Sequence, residues 1–211
     1  MRMILTHIKN FAKDTKGVVA VEVVIILPIL LWAIAAMAIY FDVFRTKSAA
    51  EKASYTIGDM LSRETNAITP EYIDNTRLLY EAISRTQVHS DASSGGATGT
   101  TTLDPETGLE VPAVEQGTSL RLSVITWNED ESEYELEWSQ TRGANFEPLV
   151  TADLILLEAN LPQMADQDTV ILVETSMSYT PVLNVGLGAR NIETFTFTRP
   201  RYAPQLVYEA S

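Results

Sequence analysis

Three groups of residues in this chain have types and spacings that do chemistry: Val18 with Glu22, the triplet His89-Ser90-Asp91, and the six acids between Glu129 and Glu137. The triplet holds the residue types of a nucleophile, a base and an orienting acid. Consecutive loop residues do not gain that geometry by adjacency. His7 is the only other imidazole and there is no cysteine. A disulfide scaffold, a thiolate zinc site and a cysteine nucleophile are therefore excluded together, and zinc has no usual ligand set. The acidic run has the oxygen ligands that Ca²⁺ takes, but not the pattern of a closed ligating loop, and a solvated strand face accounts for it better. Paired carboxylates in so acidic a chain do not by themselves indicate a hydrolase. The reading is of a protein that is not an enzyme and has no cofactor and no metal site.

Val18 and Glu22 are different, because their chemistry depends on a cut. Cleavage between Gly17 and Val18 leaves a new α-amine on Val18 and places Glu22 fifth in the mature chain. Residues four apart share a helix face, and both the amine and the helix N-terminus favour a nearby carboxylate. At ~5 Å and an effective dielectric of ~20 the attraction is on the order of 3 kcal/mol. An acid at the edge of a bilayer needs such a partner. In an assembly, the amine of a neighbouring subunit serves equally.

The element that positions this pair is the uncharged run of nineteen residues from Val23 to Phe41. As a helix it measures about 28 Å at ~1.5 Å per residue, close to the ~30 Å hydrocarbon thickness of a bilayer. The expected organisation is a basic cytoplasmic leader at 1–17, a transmembrane helix at 18–44, and a periplasmic α+β domain at 45–211. Arg2, Lys9, Lys13 and Lys16 precede the span against Asp14 alone, which keeps the N-terminus cytoplasmic; Arg45, Lys47 and Lys52 beyond it weaken the asymmetry. Tyr40 and Phe41 have the character of interfacial anchors. Of the 15 basic and 28 acidic residues, four and three precede Arg45, leaving 11 and 25 and a formal charge of −14 for the remainder. Such a surface repels nucleic acid.

Beyond the span, Ala49, Ala53, Ile57, Met60 and Leu61 recur at helical steps and extend the first helix as an amphipathic one, with Gly58 a residue that counts against helix in its last turn. Ser48, Ala49, Ala50, Ala53 and Ser54 suit either close helix–helix approach or a plain core. Thr69-Pro70 opens a second helix with Thr69 as cap and Ile68 stapling onto Ile73. Its buried side is Tyr72, Ile73, Leu79, Tyr80 and Ile83, and it ends near Gln87. Residues 89–117 read as loop; the Gly-rich stretch 93–102 has no following lysine or helix to cradle phosphate. A β hairpin follows, with Leu120, Leu122 and Val124 alternating with Arg121 and Ser123. Its second strand turns Tyr134, Leu136 and Trp138 to the core and the glutamates to water, after a turn at Asn128–Ser132. Leu154, Leu157 and Leu161 mark a short helix with Thr151 as cap. Asp168–Glu174 is a buried strand continuing to Pro181, Val185–Gly188 a loop, and Ile192–Thr198 a last strand with Phe195 and Phe197 inward.

A basic leader, Gly17, four residues, Glu22 and a long apolar helix resemble the class III signal of type IV pilins and pseudopilins. Gly17-Val18-Val19-Ala20-Val21-Glu22 with Pro28 six residues on is similar to the TadE-like minor pseudopilins of the tight-adherence (Flp) pilus machinery. Val173-Glu174 in its strand and the closing Arg199-Pro200-Arg201 are similar to that family's C-terminal pattern; the middle of the chain is unmatched. The resemblance implies a pilin-like fold, with the N-terminal helix packed on a small antiparallel sheet. It implies cleavage after Gly17 by a prepilin peptidase and a need for Glu22 in processing or assembly. It also implies other pilin or pseudopilin subunits and pilus assembly proteins as partners at the inner membrane, with incorporation into a pilus left open. Major Flp pilins tend to carry Glu-Tyr where this chain has Glu22-Val23, and its C-terminal domain is far larger, which favours a minor or priming subunit. The Arg199-Pro200-Arg201 turn is a candidate contact surface, or equally a strand end held by salt bridges. Three other readings stand beside this one. In the first, Ala33-Ile34-Ala35 or Ala36-Met37-Ala38 is a secretory cleavage site and the run is removed. In the second, the anchor is plain, with Glu22 snorkelling to the headgroups. In the third, a bitopic protein binds a ligand or senses a signal through its periplasmic domain.

Overall fold

The computed structural model describes residues 18–84, 101–103, 110–112, 117–183 and 185–210. It is an α+β chain. Helix α1 spans Val18–Ser62, α2 Pro70–Ser84 and α3 Thr151–Leu157, with a 3₁₀ turn at Glu158–Asn160. Strands β1 (Thr101–Leu103) and β2 (Glu110–Pro112) form a small antiparallel pair. Strands β3 (Thr118–Asn128), β4 (Glu133–Arg142), β5 (Thr169–Tyr179) and β6 (Arg190–Thr198) form an antiparallel sheet in the order β4-β3-β5-β6. The chain divides into two compact units, Met1–Asp42 with Pro181–Leu187, and Val43–Thr180 with Gly188–Ser211.

In the first unit, the helix from Val21 to Ile34 exposes every side chain. Ala36 and Ile39 are the first buried positions. Pro28 lies inside the helix without ending it. Its missing N–H leaves the Val24 carbonyl without its usual i+4 donor.

In the second unit, the helix keeps a three- and four-residue rhythm, burying Ala50, Ala53, Ser54, Ile57, Gly58, Leu61 and Ser62. These are mostly small side chains, so the helix rides close to β6. The Ser54 hydroxyl donates to Thr196 Oγ1 at 3.1 Å. A Cβ added at Gly58 would stand 3.8 Å from the methyls of Thr196 and Thr198. The last turn is helical through Ser62 in spite of Gly58, and an alanine there would still meet the threonines in ordinary contact. The expected inward face of β6 holds for Phe195, which packs half-buried on the second core, and fails for Phe197, which is 45% exposed, while Thr194 and Thr196 are buried against the helix side.

Helix α2 is capped as its sequence predicts, the Tyr72 N–H donating to Thr69 Oγ1 at 3.2 Å. Ile73, Thr76, Tyr80 and Ser84 form its buried line, while Leu79 turns outward, contrary to expectation. Residues 85–88, where the helix was expected to end, lie outside the described ones. The C-terminal tail completes this side. Ile68 pairs with Tyr208 in a parallel bridge, Leu206 is fully buried, and its carbonyl accepts from Trp138 Nε1 at 2.7 Å. Burial and the Glu64 carboxylate push the Tyr72 hydroxyl up to about 12.

The two sheet faces hold two cores. Leu120, Leu122, Val124, Ile171 and Val173 meet α1 and α2, while Ile125, Val170 and Leu172 meet Leu149, Leu154 and Leu161. The strand β5 reads as continuously apolar because both its faces are covered. Strand β4 departs from simple alternation. Val124 pairs with Trp138 but Ile125 with Leu136, so Glu137 is an extra residue. That bulge puts Trp138 with the helices and Tyr134 and Leu136 with the second core. The expected single aromatic face is thus split. The hairpin turn falls at Glu129–Ser132, and Ser132 takes a positive φ of 54°. In α3 the cap is Val150, whose N–H donates to the Asp153 carboxylate at 3.0 Å, and Thr151 is the first helical residue rather than the cap. Thr101 and Thr102, expected in loop, belong to β1.

Candidate functional site

Gly17 and His7 lie outside the described residues, as do His89, Ser90 and Asp91. Val18 is the first residue of α1. Glu22 sits one turn on, exposed, and makes no hydrogen bond or ion pair with any other described residue. What surrounds Glu22 is apolar and open: Val21, Val23, Val24, Ile25 and Ile26 are each about half exposed or more. Apolar surface this continuous marks a membrane or protein contact. The helix is long and apolar enough to cross a bilayer.

Arg199, Pro200 and Arg201 close the sheet. Arg199 Nη1 stands 2.9 Å from Asp168 Oδ2, at the start of β5. Arg201 Nη2 lies 3.3 Å from Asp59 Oδ1, while Arg63 holds the other oxygen of Asp59 at 2.7 Å. The Arg201 N–H donates to the Ser62 carbonyl at 2.8 Å, capping the last turn of α1. Each arginine is therefore engaged within the chain, and the turn fastens the end of α1 to the end of β6. All four partners keep a third or more of their side chains in water, so each ion pair contributes at most ~1 kcal/mol.

In the acidic hairpin, Glu137 accepts from Thr126 Oγ1 at 3.0 Å and Glu135 from Asn128 Nδ2 at 2.6 Å. Hydrogen bonding and repulsion from Glu133, followed by repulsion from Glu135, raise the carboxyl pKa of Glu131 above its usual value. Among the described residues no three His, Cys, Asp or Glu side chains converge as metal ligands do. A cleft of about 160 Å³ lies beside this hairpin, lined by Tyr134, Thr151, Leu154, Ile155 and Glu158 among others. It is smaller than the ~300–1,000 Å³ of small-molecule sites.

One charged pair escaped the sequence reading. Arg121 and Glu174 face each other in register on β3 and β5. Two hydrogen bonds join them, Nε to Oε2 at 2.6 Å and Nη2 to Oε1 at 2.7 Å, with 15% and 9% of the side chains exposed. Arg121 Nη1 also donates to the Glu147 carbonyl at 2.9 Å, and its guanidinium lies 4.9 Å from the Phe146 ring centroid. The segment 143–149 forms a strap over this polar stripe. Asn145 donates from its backbone to Ser119 and from its side chain to Ser176, and the Leu149 N–H donates to Ser139. Arg121 and Ser123 therefore do not face water. The available signal was a lone acid ending an apolar strand core, Val170–Val173, and a lone base within another. With both oxygens on one guanidinium, Glu174 is a structural carboxylate. Comparison with protein-family models, with curated proteins and with solved structures finds no match to this chain.

Proposed function

We propose that the chain is a minor pseudopilin of TadE type, an inner-membrane subunit acting in assembly or initiation of a tight-adherence pilus. The observation that carries the reading is α1 itself. It presents Glu22, one turn beyond the Val18 that a cut after Gly17 would expose, on a helix otherwise apolar and open for five turns. An unpaired acid in apolar surroundings is costly. A freed Val18 amine, on the same chain or a neighbouring subunit, relieves that cost. Storage in the bilayer, cleavage after Gly17 and lateral packing of α1 then follow as one sequence of events. On this reading the prepilin peptidase, other pilin-like subunits and the membrane are the partners, the leader is cytoplasmic, and the α+β domain is periplasmic and pilin-like.

The second reading is a bitopic protein whose outer domain binds a ligand or partner outside any pilus. The exposed apolar side chains of Val150, Ile155 and Leu156 at α3 favour it. Substituting Glu22→Ala distinguishes the two. Pilus assembly falls while membrane insertion persists if the chain is a pseudopilin. Unchanged pilus formation removes the assembly role of the carboxylate.

A further inference from the structure

The connection between β5 and β6 is unlike the other connections of the sheet. From Pro181 to Ala189 it has no charged residue, and Val182, Leu183, Val185 and Leu187 are apolar. Sheet connections are ordinarily polar and turn-forming; β3 and β4 are joined by Glu129-Asp130-Glu131-Ser132. Pro181–Leu187 forms one compact unit with the chain up to Asp42. Within that unit, Ala36 and Ile39 fall to 9% and 8% exposed where the helix before them is open, and Leu187 falls to 8%. Among the described residues, the connection is the part of that unit that lies outside the helix. Val182 nevertheless remains 89% exposed and Leu183 52%, beside a helix that exposes 75% of Met37 and 73% of Phe41.

We infer that this connection lies in the headgroup–acyl boundary of the outer leaflet, with the side chains of Val182 and Leu183 in lipid. The inference rests on reading α1 as a membrane span. Ala36 and Ile39 precede Phe41, the last residue of the uncharged run, by five and two positions, or about 8 and 3 Å along the helix axis. The deeper of the two matches the ~5–10 Å at which interfacial elements bury their apolar faces, and the other lies shallower. Irregular backbone is not tolerated in the hydrocarbon centre, where its amides go unsatisfied, so the boundary is the deepest place the connection can occupy. Its continuity with the span, and its lack of charge, favour lipid over a polar protein partner. The connection then marks the level of that boundary on α1, between Ala36 and Phe41.

The chain has no cysteine, so single introduced thiols report without background. Full-length protein bearing Val182→Cys, Leu30→Cys or Ala144→Cys is labelled with an environment-sensitive fluorophore. Each variant is reconstituted in phosphatidylcholine–phosphatidylglycerol vesicles containing nitroxide lipids. The expected result is at least threefold stronger quenching at position 182 than at 144 by a nitroxide near the headgroup, with protection from aqueous iodide. Position 30 is quenched most by a nitroxide deep in the acyl chain. Quenching at 30 with position 182 open to iodide overturns the inference and leaves the span. Iodide access at both 30 and 182 overturns the span and the inference with it. Shielding at 182 from both iodide and lipid nitroxide means that protein covers the connection, which also overturns it.

Discussion

Replacing Arg121 by Met strands the Glu174 carboxylate at 9% exposure, under the strap and between two strands. The substitution removes two charge-assisted hydrogen bonds, one bond to the Glu147 carbonyl and the contact with Phe146. Methionine restores most of the volume, so the loss is that of an unpaired buried charge, ~3–5 kcal/mol. For a chain of this size that corresponds to roughly 6–20 °C in Tm. At a urea slope of about 2 kcal/mol/M it is a midpoint shift of roughly 2 M. Equilibrium urea unfolding of the full chain in detergent, followed by Trp127 and Trp138 fluorescence, measures it. The double variant Arg121→Met/Glu174→Met leaves no charge behind and regains most of the loss, since a buried pair replaced by apolar side chains is often neutral. A single variant shifted by less than ~0.3 M, or a double variant as unstable as the single, refutes the account of this pair.

Two glycines give opposite results in the same assay. Gly58→Ala places its Cβ in ordinary contact at 3.8 Å, so the helix gains up to ~1 kcal/mol of propensity. Gly143→Ala drives its Cβ into Ser119 Oγ and to 2.6 Å from the Thr118 carbonyl, at a φ of +89°, and loses ~2 kcal/mol or more. Tyr80 is wholly buried, its hydroxyl has no hydrogen-bond partner within normal reach among the described residues, and burial raises its pKa; Tyr80→Phe holds or increases the urea midpoint. Glu131 titrates above its usual range, so the folded state binds its proton more tightly than the unfolded chain. Its contribution to stability therefore grows as pH falls through the folded pKa and is lost as pH rises. Glu131→Gln flattens that part of the pH–stability curve, which a series of urea titrations reads directly.

Periodicity made much of this chain legible. The uncharged run, the helical rhythm to Leu61, the Thr69-Pro70 cap and the four long strands are local patterns, and local patterns survive folding. What was not legible depended on covering. Arg121 and Ser123 look like the wet face of a strand until the strap at 143–149 lies over them. Phe197 looks inward by hydrophobicity, yet the close seat of Gly58 and Ser54 admits threonines there and no ring. The bulge at Glu137 changes which core Trp138 joins without any mark in the alternation of β4. For the candidate site, the spacing of Gly17, Val18 and Glu22 was readable because it is a property of one helix end. The engagement of Arg199 and Arg201 with Asp168 and Asp59 was not, because those partners are distant in sequence.

The first residue of the mature protein tests the central claim most directly. Intact mass and N-terminal sequencing of chain recovered from membranes are expected to give a polypeptide beginning at Val18. A chain still beginning at Met1, or one beginning just after Ala35 or Ala38, contradicts the account.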